Sequence, residues 1–195
     1  MYKVIDNFLP NAYANILEEM FKSEVNWHCL ENKTGVNEEN TKNLKHYKTP
    51  GADYSGLQYG FTHSALDKLG NRSIFFEKIL PMLYFAEEKA NIEVKEISRI
   101  RLGLSVSTGK EVQHYPHVDE HEPHYVLLYY VNDSDGDTFM LNEMYQEGVD
   151  PKDFTVKERV TPKKNRAVIF DGLRYHHSSN PVNNSLRFVV NINFI

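Results

Sequence analysis

A chain of 195 residues, 41% hydrophobic and 25% charged, has the size and composition of a single globular domain. Its formal net charge of -5 argues against a surface that attracts nucleic acid phosphates or anionic lipids. Cys29 is the only cysteine, which excludes an internal disulfide. The sequence begins without a basic, apolar leader, and no apolar run approaches the ~20 residues of a membrane helix. We therefore expect a cytoplasmic protein.

The first 96 residues predict helices and a loop. Residues 2–9 predict a short strand that leads into Pro10, and the spacing of an amphipathic helix follows, in Tyr13, Ile16, Leu17, Met20 and Phe21. Residues 31–56 are rich in Asn, Lys, Glu, Thr and Gly, which predicts a long surface loop, either a lid or a plain connection. A second helix is predicted from Ser73 to about Asn91, with a kink or restart at Pro81.

From residue 97 onward the sequence predicts strands. Apolar residues alternate with Arg101, Gly103 and Ser105, which is the pattern of a half-buried strand. Five shorter runs follow, at 124–131, 137–141, 154–160, 166–170 and 186–194, and turn dipeptides such as Asp135-Gly136 separate them. Helices followed by many short strands predict an α+β, mainly β fold that closes into a barrel or jelly roll.

The last predicted strand has two different faces. Its apolar face should pack under the helices, and comprises Phe188, Val190, Ile192 and Phe194. Its other face comprises Arg187, Val189, Asn191 and Asn193. An arginine and two asparagines on the inner face of a barrel predict the interior of a binding site.

The tripeptide His117-Val118-Asp119 is the first indication of a metal site. On a strand, residues i and i+2 point to the same side, so the imidazole and the carboxylate can bind one cation. A later histidine from a distant strand would complete a 2-His-1-carboxylate set, which suits non-haem iron(II) and oxygen chemistry. His176 and His177 are adjacent, and strand alternation lets only one of them face the metal.

Four segments, in their order and spacing, resemble the prolyl-hydroxylase-like branch of the 2-oxoglutarate/Fe(II) dioxygenases: HYPHVDE (114–120), YYVNDSDGDT (129–138), FDGLRYHHSSNPV (170–182) and SLRFVV (185–190). The resemblance covers about residues 97–195. It implies a double-stranded β-helix (jelly roll) with N-terminal supporting helices, in one domain over 1–195. Residues 1–96 would form the helical support and loop region, and 97–195 the jelly-roll core. The implied cofactors are Fe(II), 2-oxoglutarate and O2, with ascorbate as an optional reductant.

The resemblance implies that His117, Asp119 and His177 are the metal ligands. In this family a proline follows the distal histidine by four residues, and a basic residue follows it by about ten. Pro181 and the arginine beyond it both count back to His177, which is therefore preferred to His176.

The resemblance also implies a co-substrate site. Arg187 would bind the far carboxylate of 2-oxoglutarate, for which a guanidinium offers a bidentate fork. Tyr130, in Tyr130-Val131-Asn132, would donate a hydrogen bond to the same carboxylate, and Asn191 would lie near the co-substrate. The family's Gly-Gly-Glu-Thr turn corresponds to Gly136-Asp137-Thr138 here. No catalytic side chain beyond the metal ligands is implied.

The implied function is hydroxylation of a C–H bond, in a prolyl residue of a peptide or protein or in a free amino acid or other small metabolite. A zinc hydrolase could use a similar ligand set, but the co-substrate motifs argue against it. The alternative function is a non-catalytic, cupin-like barrel that binds a metal or a small acid. The acidic balance argues against a nucleic-acid substrate, and the sequence does not predict the oligomeric state.

Overall fold

The computed structural model describes residues 1–31, 59–149 and 153–195. Within these ranges the chain forms β1 (Tyr2–Ile5), α1 (Asn11–Ser23), β2 (His28–Leu30), β3 (Gly60–Leu66), α2 (Phe76–Ile79), α3 (Met82–Ala90), β4 (Ile97–Val106), β5 (Tyr125–Tyr130), β6 (Thr138–Met144), β7 (Val156–Val160), β8 (Arg166–Asp171), β9 (Arg174–Ser178) and β10 (Leu186–Phe194). The loop predicted at 31–56 lies outside the described residues except for Glu31.

The strands form two antiparallel sheets. The main sheet has the order β1-β8-β5-β10-β4-β3-β2, and the minor sheet has the order β7-β6-β9. The predicted mainly β, jelly-roll fold is therefore confirmed. Three strands of the first 96 residues extend this sheet: β1 at one edge, β3 and β2 at the other. Of these, β2 and β3 were not predicted.

The helices differ from their predictions mainly in where they begin. The second helix is interrupted at Pro81, as expected of a residue that lacks a backbone N–H, so that α2 ends at Ile79 and α3 begins at Met82. Ser73 lies before α2, where its Oγ accepts a hydrogen bond from the backbone N–H of Phe75 at 3.2 Å. None of the described helices is long and apolar enough to cross a membrane.

The helices cover one face of the main sheet. Phe188 of β10 illustrates the contact, because its ring packs against Phe21 of α1 at 5.6 Å and against Trp27 at 5.9 Å between centroids. The predicted apolar face of β10 is wholly in this core. The other face of the main sheet packs on the minor sheet through a second, smaller core that includes Leu128, Met140 and Phe170. The functional groups lie between these two sheets.

Candidate metal and co-substrate site

Three side chains that can bind a metal converge between the sheets. One ligand atom from each of His117, Asp119 and His176 lies within 4.8 Å of the other two. The backbones of His117 and His176 form a two-hydrogen-bond bridge, each N–H donating to the other's carbonyl at 3.0 Å. This bridge fixes the HxD segment against β9, so both histidines are positioned by the minor sheet.

The distal histidine in this cluster is His176, whereas the sequence analysis preferred His177. The two rings leave β9 on opposite sides, because side chains alternate along a strand. His176 packs against Phe170, at 5.0 Å between ring centroids, whereas His177 stacks on Phe139 at 4.6 Å with an interplanar angle of 5°. Pro181 follows the clustered histidine by five residues, whereas the family spacing is four.

Backbone carbonyls orient both histidine rings. Nδ1 of His117 lies 3.0 Å from the carbonyl oxygen of Tyr115, and Nδ1 of His176 lies 3.1 Å from that of Arg174. A carbonyl oxygen can only accept, so each Nδ1 carries the hydrogen and each Nε2 keeps its lone pair. This is the tautomer that a metal-binding imidazole needs.

The carboxylate of Asp119 is held by three donors. Nη2 of Arg99 lies 2.9 Å from Oδ1, and the amides of Asn191 and Asn193 donate to Oδ2 at 3.0 and 3.3 Å. Burial acts to raise the pKa of Asp119, but the guanidinium of Arg99 and the nearby histidines outweigh it and hold the pKa well below its usual range. The ligand is therefore ionised at neutral pH.

The two imidazoles of the cluster are neutral at the same pH. Burial, and after it the proximity of His176, lowers the pKa of His117 to about 4. Burial also lowers the pKa of His176. Two neutral imidazole nitrogens and one carboxylate oxygen are the donor set of the non-haem iron(II) facial triad, so the residues present fit iron(II).

His114 lies in the same cavity but is already engaged at both ring nitrogens. Nδ1 lies 2.9 Å from Oγ of Ser178, and Nε2 lies 3.0 Å from Oδ1 of Asn180. It therefore supports the cavity wall and is not a candidate ligand.

The other end of the cavity contains a buried guanidinium. Arg187 is 2% exposed, and its Nη2 donates to Oγ1 of Thr138 at 2.9 Å. In the part of the chain that the structure describes, no carboxylate pairs with Arg187 and its buried Nε has no hydrogen-bond partner. A buried cation without a counterion is unfavourable, so this site fits the carboxylate of 2-oxoglutarate.

Tyr130 and Asn191, both predicted to lie near the co-substrate, have different partners among the described residues. The hydroxyl of Tyr130 donates to Oγ1 of Thr138 at 2.8 Å, so Thr138 joins it to Arg187. Asn191 lies beside the metal cluster, where it binds Asp119. Thr138 itself lines the cavity and was not predicted, although the Gly136-Asp137-Thr138 turn marked its position.

Residues on β4 were also missed. Arg99 binds Asp119, and Arg101 lines the cavity that contains the metal cluster. Their signal in the sequence was the alternation along β4, whose polar face lies towards the cavity. Gly103 continues this face, and a Cβ there would lie 2.9 Å from Cγ2 of Val189, so glycine allows β4 and β10 to pack at this point.

The segment that contains this site matches a known family. Residues 103–195 match the family model described as the 2OG-Fe(II) oxygenase superfamily. The matched range includes the clustered His117, Asp119 and His176, as well as Thr138 and Arg187. No curated protein matches the sequence.

Solved structures share the fold at low sequence identity. A prolyl-4-hydroxylase of Pseudomonas putida is 11% identical, with 99% of this chain and 91% of that chain covered and a TM-score of 0.52. A prolyl hydroxylase in complex with a hypoxia-inducible-factor peptide fragment, from Trichoplax adhaerens, is 12% identical, with 100% and 83% covered and a TM-score of 0.53. The epimerase SnoN, in complex with Fe3+, α-ketoglutarate and nogalamycin RO, is 12% identical, with 100% and 78% covered and a TM-score of 0.59.

The family match, the shared fold and the donor set of the cluster agree with one another. The predicted enzyme class and the predicted cofactors, Fe(II), 2-oxoglutarate and O2, are confirmed at the level of the family. Residues 103–195 match the 2OG-Fe(II) oxygenase superfamily, and this match indicates a 2-oxoglutarate- and iron(II)-dependent dioxygenase.

Proposed function

We propose that His117, Asp119 and His176 bind the iron(II) ion, that Arg187 and Thr138 bind the far carboxylate of 2-oxoglutarate, and that the enzyme hydroxylates a substrate C–H bond. The observation that carries this proposal is one cavity with two complementary ends. At one end three ligand atoms lie within 4.8 Å of one another, and at the other a buried guanidinium lacks a carboxylate among the described residues.

Each end of the cavity has a defined task. When bound, iron(II) and 2-oxoglutarate together supply the activation of dioxygen that C–H oxidation requires. Arg99, Asn191 and Asn193 hold the carboxylate of Asp119 in place, which would limit its reorientation on metal binding. The buried guanidinium of Arg187 would form charge-assisted hydrogen bonds in a site that excludes water, and Thr138 fixes its orientation.

For the substrate we propose two candidate classes, a prolyl residue of a peptide or protein and a small molecule, and the resemblance suggests the first. The names of two solved neighbours, both prolyl hydroxylases and one with a bound peptide, support it. The epimerase bound to nogalamycin RO instead favours a small molecule. A non-catalytic barrel would bind metal and acid but release no succinate, which separates it from either enzyme.

The test is succinate release from 2-oxoglutarate with iron(II) and ascorbate. We expect turnover by the wild type, even without a substrate, and its loss in His176→Ala and Arg187→Ala. His177→Ala is the matched control, because it removes the adjacent imidazole from the same strand. His177 is buried against Phe139, so its variant should first be shown to fold by circular dichroism.

The outcomes separate the alternatives. Wild-type protein that binds iron and 2-oxoglutarate but releases no succinate would favour the non-catalytic barrel. Turnover that survives in His176→Ala and disappears in His177→Ala would overturn the ligand assignment and restore the family count. Metal binding, measured by calorimetry with Mn(II), should be lost in His176→Ala and retained in Arg187→Ala and His177→Ala.

A further inference from the structure

A second guanidinium lies in the same cavity and has no task in the proposed function. Arg101 lies on the polar face of β4, two residues from Arg99, and its side chain lines the cavity with His117 and Asp119. Within residues 1–31, 59–149 and 153–195, no side chain or carbonyl accepts a hydrogen bond from its guanidinium, and no carboxylate forms an ion pair with it.

The neighbouring Arg99, by contrast, has partners that compensate its charge. Its Nη2 lies 2.9 Å from Oδ1 of Asp119 and donates to Oδ1 of Asn193 at 3.1 Å, so its charge is compensated. The charge of Arg101 is not compensated in this way. Burial, and after it the charge of Arg99, lowers the pKa of Arg101, which nevertheless stays a cation at neutral pH. Partly buried and without a partner among the described residues, it would be stabilised by a bound anion.

The position of Arg101 separates it from the co-substrate end. Along β10, Asn191 is directly opposite Arg101, and Arg187 is opposite Ser105. Arg101 and Ser105 are four residues apart, which is about 13 Å along a strand at ~3.3 Å per residue. Since Asn191 binds Asp119, Arg101 lies beside the metal cluster and not beside the far carboxylate of 2-oxoglutarate.

The cavity also extends sideways from β4, to the side opposite β10. Thr62 of β3, which pairs with Gly103, lines this side together with Phe61 of β3 and Leu30 of β2. A molecule held there would have an apolar wall, one cation and the metal cluster as neighbours. This is the arrangement that a substrate needs if a polar end is to be fixed while a C–H bond is presented to the reacting centre.

We infer that Arg101 binds a carboxylate of the substrate, and that the substrate is a small carboxylic acid, such as a free amino acid, and not an internal prolyl residue. The inference rests on the proposed function for the position of the metal. A carboxylate matches the planar fork of a single guanidinium. A dianionic phosphate fits less well, because the nearby charge of Asp119 repels it and Arg99 is already neutralised.

The first experiment measures binding without turnover. Wild-type protein with Mn(II) and saturating 2-oxoglutarate is screened by thermal shift against the free amino acids, their α-amides, phosphoserine and an internal prolyl peptide. We expect at least one free acid to raise the Tm and its amide to have no effect. Truncating one partner of a buried charge pair is costly, so in Arg101→Gln the Kd for that acid should rise about 30-fold or more.

Two variants and one further titration make the test specific. Arg101→Lys keeps the charge but not the fork, and should lie between the wild type and Arg101→Gln. Arg72→Gln removes an exposed arginine that packs on Phe76 outside this cavity, and should bind the acid as the wild type does. In turnover assays with iron(II), the KM for the acid should rise in Arg101→Gln much more than kcat falls, with the Kd for 2-oxoglutarate changed less than twofold.

Four results would overturn the inference. Two concern the ligand panel as a whole: the amides or the internal prolyl peptide bind as tightly as the free acids, or no free acid binds. The other two are that phosphoserine binds more tightly than serine, and that Arg101→Gln weakens the binding of 2-oxoglutarate as much as the binding of the acid. A failure of the proposed function is seen earlier, because the wild type would then bind no 2-oxoglutarate with Mn(II) before any acid is added. That result would overturn the inference as well.

Discussion

Replacing Arg99 with glutamine should destabilise the metal-free protein, because the buried carboxylate of Asp119 would lose its ion-pair partner. Arg99 and Asp119 form an ion pair at 2.9 Å whose side chains are only 15% and 7% exposed. Removing one partner of a buried pair costs about 3–5 kcal/mol, because the other charge is left without compensation. At ~2–4 °C per kcal/mol for a chain of this size, the Tm of the metal-free variant should fall by about 6–20 °C.

A divalent cation should reverse most of this loss. In the wild type Arg99 and the metal ion both neutralise Asp119 and repel each other, whereas in Arg99→Gln the cation supplies the missing charge. The rise in Tm on adding Mn(II) should therefore be larger in the variant than in the wild type. Thermal unfolding followed by circular dichroism, in EDTA and then in Mn(II), measures both quantities.

Arg166→Gln is the matched control. Arg166 binds Asp6 through two hydrogen bonds, at 2.6 and 3.0 Å, but the side chains are 21% and 42% exposed. A surface pair of this kind contributes about 0–1 kcal/mol, and its loss should not depend on metal. The reasoning about Asp119 would be refuted if Arg99→Gln had the metal-free Tm of the wild type, or if Mn(II) raised both Tm values equally.

Three further outcomes are expected. Thr138→Val removes the oxygen that accepts a hydrogen bond from Arg187, and a hydrogen bond to a charged group contributes about 1.5–3 kcal/mol. Calorimetry should therefore show a Kd for 2-oxoglutarate that is about 10–100-fold higher, with metal affinity unchanged. Equal Kd values would contradict a role for this hydroxyl. Gly136→Ala would place a Cβ 2.8 Å from the carbonyl oxygen of Ser179 and 3.0 Å from Cδ of Arg187. We therefore expect urea denaturation to show a loss of about 1–3 kcal/mol in the free energy of unfolding. An unchanged urea midpoint would show that the turn can accommodate the methyl group. Burial lowers the pKa of His117 from 6.5 to about 4, so between these pH values the unfolded chain binds a proton that the folded chain does not. The free energy of unfolding of the metal-free protein should therefore be complete above pH 6.5 and fall by on the order of 3 kcal/mol towards pH 4. Urea melts in which this free energy does not change with pH would refute the prediction.

The parts of this protein that sequence predicts well are those in which one residue pattern has one physical meaning. The two faces of β10 are an example, because period-two alternation separates the core residue Phe188 from the cavity residue Arg187 in any register. The HxD tripeptide likewise requires two side chains on the same side. The jelly roll follows from many short strands between turns.

The features that the sequence predicts poorly depend on the length of a connection, or on whether a polar strand face borders solvent or an internal cavity. His176 and His177 both have the right chemistry, and the count from Pro181 selects His177 whereas the packing of the two rings brings His176 into the cluster. The polar face of β4 has the same pattern whether solvent or a cavity covers it, so Arg101 was not singled out. The strand β9, with the sequence RYHHS, has no apolar alternation and is stabilised by its pairing with β6.

Thr138 belongs to the minor sheet, whereas its two hydrogen-bond partners, Tyr130 and Arg187, belong to the main sheet. The metal cluster is divided in the same way, since His176 is on β9 and Asp119 is anchored to Asn191 on β10. A ligand at either end of the cavity therefore acts as a crosslink between two halves of the fold. By mass action its binding opposes every opening motion that separates the sheets, so the loaded enzyme should exchange its β6 and β9 amide hydrogens more slowly than the empty one.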